Sequence, residues 1–117
     1  LVFRGMKGQA LKGHLDLLVL SVLATGPQHG YAVIEELRTR SGDAFDLPEG
    51  TVYPVLHRLE RAGLLASSWS EQSGRRRRTY RLSEKGRVAL ADERSAWEEF
   101  TSAVGSVLKG SPWPTPT

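Results

Sequence analysis

Apolar residues recur along this chain with a helical period, then an alternating one, then a helical one again. Leu15, Leu17, Leu18, Val19, Leu20, Val22 and Leu23 follow one another almost without interruption. They predict a helix over about residues 10–25, closed by Gly26-Pro27, that is apolar around most of its circumference and needs cover on two sides. Its own chain can cover one side and a helix of a second subunit the other. A second helix is expected from Gly30 to Ser41, with Tyr31, Ile34 and Leu37 three residues apart on one side.

A third helix, over about Glu49 to Ala62, carries Val52, Val55, Leu56 and Leu59 as one stripe. Pro54 fits it only near the first turn, a condition met if Thr51 is the N-cap; a start at Pro48 or Glu49 implies local distortion. Gly63 suits a left-handed helix stop. Leu65, Ser67 and Trp69 then alternate with Ala66 and Ser68, and Arg78, Tyr80 and Leu82 share one face of a second run. With a turn at Glu71-Gln72-Ser73-Gly74, the pair predicts a β-hairpin. Ser83 should cap a last helix running to about Leu108, in which Leu90, Trp97, Phe100, Val104 and Val107 trace an approximate heptad seam. So little chain remains to cover this seam that it predicts pairing with another copy; folding back on the first helix is the alternative.

The 117 residues suffice for one domain. Sixteen basic and thirteen acidic side chains give only +3, but residues 51–88 hold nine basic against three acidic, a net +6, whereas residues 1–50 are net −1 and residues 89–117 net −2. A concentrated basic segment on a weakly charged body is the footprint of a nucleic-acid binder. The chain has no cysteine, which excludes a disulfide framework and thiolate chemistry. No stretch approaches the roughly 20 apolar residues of a membrane span. His14, His29 and His57 fall on different elements without metal-ligand spacing, and there is no glycine-rich phosphate loop or nucleophile elbow. No catalytic residue, metal or cofactor is therefore expected, and His29 reads as a turn or cap residue. Lys7 and Lys12 before the apolar run mimic a secretion signal, but Asp16 interrupts the run and no small-residue cleavage site follows. A cytoplasmic location, at the nucleoid through DNA binding, is expected. Leu1 to Gly5 precede Met6 and read as a remnant, so residues 1–7 are expected outside the fold. Residues 8–82 should form the body, residues 83–109 the last helix, and residues 110–117, with Pro112, Pro114 and Pro116, a disordered tail.

Helix, helix, turn, helix and hairpin is the order of a winged helix-turn-helix, whose second motif helix enters the DNA major groove. The expected fold is thus mainly α with a small β-hairpin wing, a winged helix-turn-helix plus a C-terminal dimerisation helix. With its stripe turned inward, the third helix presents Thr51, Tyr53, Pro54, His57, Arg58 and Arg61, groups suited to phosphates and base edges. Arg75, Arg76, Arg77 and Arg78 follow at the hairpin tip, where their mutual repulsion is relieved by a polyanion. Strand alternation sends Arg76 and Arg78 to one face and Arg75 and Arg77 to the other.

Four stretches, in this order and spacing, resemble the PadR family of bacterial transcriptional regulators: Gly26-Pro27-Gln28-His29-Gly30-Tyr31; Leu47-Pro48-Glu49-Gly50-Thr51-Val52-Tyr53-Pro54-Val55-Leu56; Leu59-Glu60-Arg61-Ala62-Gly63-Leu64; and Gly74 through the arginines and Thr79-Tyr80-Arg81-Leu82-Ser83-Glu84-Lys85 to Gly86. The resemblance covers residues 14 to about 108. It implies a homodimeric repressor that binds a palindromic operator and releases it when a small molecule binds. It maps DNA contacts onto Tyr31, Thr51, Tyr53, Pro54, His57 and Arg58, and wing contacts onto Arg75, Arg76, Arg77 and Arg78; Tyr31 also reads as a core aromatic. The single C-terminal helix resembles a smaller subclass, in some members of which flat hydrophobic compounds stack between aromatic residues at the dimer interface. Trp97 matches that position and Phe100 would be a neighbouring wall. Trp97 also reads as a filler of the dimer core, and that is the favoured role. The expected partners are double-stranded DNA, a small aromatic effector and a second copy, met through Leu15, Leu18, Val22, Leu90, Trp97, Phe100, Val104 and Val107. A winged-helix module that binds protein, or a small-molecule carrier, is the competing reading.

Overall fold

The computed structural model describes residue 11 and residues 13–110. The remnant expected over residues 1–7, residues 111–117 of the tail expected over 110–117, and residues 10 and 12 of the first predicted helix lie outside the described residues.

Helix α1 (Leu15–Leu23) follows His14 at its N-cap and spans the apolar run, within the expected range of residues 10–25. It lies at the centre of the body, against α2 (Gly30–Arg40), α3 (Glu49–Arg61), the wing strand β3 (Arg75–Leu82) and α4 (Glu84–Lys109). Neighbours from its own chain therefore cover both sides. Leu15 and Val22, expected at a subunit interface, are buried within the protomer, as is Leu90 on α4; Leu18 is half-buried. Leu15, Val22 and Leu90 belong to the core because α2, α3 and α4 pack around α1, whereas Leu17 and Leu18 are only partly covered.

Helix α3 begins at Glu49 with Pro48 as N-cap, so Thr51 is not the cap and Pro54 sits inside the helix. Proline lacks the N–H that would bond the carbonyl four residues back, which belongs to Gly50. Gly50 is exposed, so water can serve that carbonyl. Val52, Val55, Leu56 and Leu59 are buried as the spacing predicts, and Gly63 follows the helix at φ +82°.

The hairpin is longer and tighter than its alternation shows. Strands β2 (Leu65–Gln72) and β3 pair from Leu65↔Leu82 to Gln72↔Arg75, leaving Ser73 and Gly74, both at positive φ, as a two-residue turn. Such turns match the twist of the strands they join, and glycine enters that conformation without steric cost. A third strand, β1 (Gln28–His29), pairs antiparallel with β3 on its other edge, giving the sheet order β1-β3-β2. Two residues are too few to show a period, so sequence pattern takes them only for a turn. Among the described residues the result is four helices and a three-stranded sheet in the order of a winged helix-turn-helix.

Ser83 caps α4 as expected, its Oγ accepting from the Gly86 N–H at 3.0 Å, and Glu84 complements the helix dipole in the first turn. At about 1.5 Å per residue the helix is roughly 39 Å long, and its only buried residues are Gly86 and Leu90. Everything from Ala91 to its end lies on the surface, including Trp97, Phe100, Val104 and Val107 on one stripe.

Candidate nucleic-acid interface

Burying the Val52-Val55-Leu56-Leu59 stripe forces the rest of α3 outward: Pro54, His57 and Arg58 are exposed, Thr51 and Tyr53 half-buried. Tyr53 lies against the start of α2, where a Cβ on Gly30 would fall 2.5 Å from its ring. Glycine leaves the ring this place, and a larger residue would have to shift it. Burial first, and the neighbouring Glu49 carboxylate second, push the Tyr53 hydroxyl above its ordinary pKa, while Arg77 opposes them. It stays a neutral hydroxyl that can donate to a phosphate oxygen. The His57 ring lies 6.4 Å from that of Tyr53, one turn on. Tyr31 is 54% exposed, which decides against its core reading.

The wing brings its arginines to the same place. A shallow cavity of about 520 Å³ is lined by His29, Gly30, Tyr31, Glu49, Tyr53 and Arg75 to Arg78. Two tyrosines and four guanidinium groups predicted as DNA contacts thus share one concave surface between α2, α3 and β3. Thr51, Pro54 and Arg58 line instead a separate groove on the other flank of α3, together with Leu11, Leu15, Asp46 and Leu47. The predicted contacts form two flanks of one helix rather than a single cluster.

The arginines are not equivalent. As alternation requires, Arg76 and Arg78 share a face and hold their guanidinium carbons 4.6 and 5.4 Å from the Trp69 ring centroid. Arg78 is tied further: its Nε donates to Ser67 Oγ (2.9 Å), Ser67 donates to Glu60 Oε2 (2.5 Å), and Arg78 Nη2 reaches the same oxygen at 3.3 Å. The Ser67 hydrogen bond, with that of Arg78, holds the Glu60 carboxyl below its ordinary pKa against the effect of burial. On the other face Arg77 Nη1 donates to His29 Nε2 at 2.8 Å. His29 also caps α2, its Nδ1 lying 3.3 Å from the Ala32 N–H. A neutral imidazole can accept at only one nitrogen, so the two contacts compete. Burial, then the charge of Arg77, lowers the His29 pKa. Arg75 and Arg76 form no salt bridge among the described residues.

Sequence pattern missed Trp69, Glu60 and Ser67 as partners of the wing, and His29 as more than a cap. Alternation placed Trp69 on the face of Leu65 and Arg78 on that of Tyr80; only the strand register shows these to be one face.

Trp97 lies far along α4, beside a smaller cavity of about 250 Å³ lined by Gly13, His14, Leu17, Glu93, Ala96, Trp97 and Phe100. The His14 ring stands edge-on to Trp97 at 4.8 Å, and Phe100 is 6.2 Å from it. No group of His, Asp or Glu side chains that could hold a metal occurs among the described residues. No helix among them is long and apolar enough to cross a membrane.

A helix with an outward row of hydroxyl, imidazole and guanidinium groups, flanked by an arginine-rich wing, defines a winged-helix regulator of the DNA-binding class. Residues 19–92 match the PadR-like family of transcriptional regulators, and the chain belongs to that family. It is 41% identical over 88 residues to a transcriptional regulator of Mycobacterium tuberculosis, covering 75% of this chain and 79% of that one. A PadR-like regulator from Bacillus cereus superposes with a TM-score of 0.79 at 26% identity, covering 89% of this chain and 100% of that one. A PadR family regulator from Clostridium difficile does so with a TM-score of 0.73 at 31% identity, covering 81% and 98%. The family consists of transcriptional regulators, not enzymes, in keeping with a sequence that offers no catalytic constellation.

Proposed function

We propose that this chain is a homodimeric repressor that grips a palindromic operator with α3 in the major groove and the arginine wing against the flanking backbone, and that a small, flat hydrophobic effector releases it. The observation that carries the reading is the shared cavity of Tyr31, Tyr53 and Arg75 to Arg78. It joins hydroxyl donors to concentrated positive charge, the pairing that phosphate recognition needs. The dimer reading rests on α4: Trp97, Phe100, Val104 and Val107 make an apolar stripe that the described residues of their own chain leave largely exposed, and a second copy covers such a stripe symmetrically. The effector reading rests on the slot of His14, Trp97 and Phe100. Its volume lies just below the usual range for small-ligand pockets, and the partner's stripe would add a further wall. A cytoplasmic, nucleoid-bound location follows from DNA binding.

Gel shifts on the DNA upstream of the chain's own gene, with and without a panel of flat aromatic compounds, test this reading. Wild type should bind and be released by at least one compound, whereas Tyr53→Ala should bind about tenfold more weakly and remain a dimer. No binding at low salt would leave the protein-docking or carrier role in its place.

A further inference from the structure

Arg58 is the exposed guanidinium nearest the middle of the reading helix, yet it does not stand free. Its Nη2 donates to Asp16 Oδ1 at 2.6 Å and its Nη1 to Asp16 Oδ2 at 3.1 Å. Both terminal nitrogens are taken, the same fork that an arginine turns toward a phosphate or the O6 and N7 of guanine. Asp16 lies 42 residues away, in the first turn of α1. The pairing is therefore a tertiary contact between the central helix and the reading helix.

We propose that Asp16 is a positioning residue that clamps Arg58 away from DNA in the free protein, so that docking exchanges the aspartate for nucleic acid. This rests on the reading of α3 as the DNA-contacting helix. Asp16 and Arg58 are 37% and 53% exposed, and a pair so open to water is weak enough for a polyanion to displace. Asp46, on the wall of the same groove, forms no salt bridge among the described residues, so the clamp belongs to Asp16 alone. Two residues before Asp16, His14 stands against Trp97. One turn of α1 thus touches both the aromatic slot and the reading helix, and an occupant that moves this turn acts on Arg58.

The test is fluorescence anisotropy with a labelled mixed-sequence duplex over a series of salt concentrations. Asp16→Asn should tighten binding about three- to fivefold, the range open to one exposed ion pair. It should also steepen the dependence of log K on log salt by up to about one, because the wild-type carboxylate that docking frees takes up a cation from solution and the asparagine does not. Asp46→Asn, which removes a charge from the same groove without freeing Arg58, should leave the slope unchanged. In an Arg58→Ala background, Asp16→Asn should change the slope no further. Asp16→Ser serves as a second variant, with thermal melting to show that each chain folds. The clamp is overturned if Asp16→Asn behaves like wild type or like Asp46→Asn, or if its effect persists without Arg58. Failure of every chain, wild type included, to bind the duplex would overturn the interface reading and the clamp with it.

Discussion

Val52, Val55, Leu56 and Leu59 on α3 and Trp97, Phe100, Val104 and Val107 on α4 both recur at helical spacing, yet the first four are buried and the last four lie open to solvent. The difference is not in the pattern but in what the chain has left to lay against it. Helix α3 has α1, α2 and β2 beside it, whereas α4 buries no residue after Leu90 and meets the start of α1 there only at its surface, around Trp97, among the described residues. An apolar period states that a face will be covered; the tertiary arrangement decides whether the same molecule does it.

The largest effect that would sharpen this contrast comes from Leu56, which is wholly buried. Leu56→Ala should destabilise the body by about 2–5 kcal/mol in chemical denaturation, the cost of lost burial plus a cavity. Phe100→Asp should behave in the opposite manner. It should leave the far-ultraviolet signal of the body intact and raise the dimer dissociation constant about 100-fold, measured by analytical ultracentrifugation. A sedimentation profile equal to that of wild type would break the contrast and move the interface off this stripe.

The smallest effect is a pH dependence at the junction of β1 and α2. Burial and Arg77 disfavour protonated His29 in the folded chain, while the unfolded chain takes up that proton near the ordinary value of 6.5. The stability held by neutral His29 is therefore full above that value and is lost as the pH falls toward the lowered folded pKa. Asn caps a helix equally well and does not titrate. The difference in Tm between wild type and His29→Asn should thus shift against wild type from about pH 8 to about pH 5.5. A constant difference would show that His29 titrates alike in both states.

The helices, the hairpin and the outward row of α3 were legible because period and punctuation are local properties. What was not legible depends on register and long-range contact. The short strand β1 is visible only in its pairing with Tyr80 and Thr79. The arginine run gave its charge but not its partners, since Trp69, Glu60 and His29 meet it across strands or between elements. In the sequence Asp16 is merely a charge interrupting an apolar run, and only the packing of α1 on α3 shows it holding Arg58. Leu15, Val22 and Leu90 show their apolarity in the sequence but not their cover, which the protomer's own core supplies.

The claim that α3 and the wing act as one DNA surface is tested most directly by the salt dependence of duplex affinity, compared between wild type and Arg76→Ala/Arg77→Ala. Wild-type affinity should fall steeply with salt, and the double variant should lose about two from the slope of log K against log salt, close to one for each phosphate contact removed. An unchanged slope, or wild-type binding indifferent to salt, would contradict it.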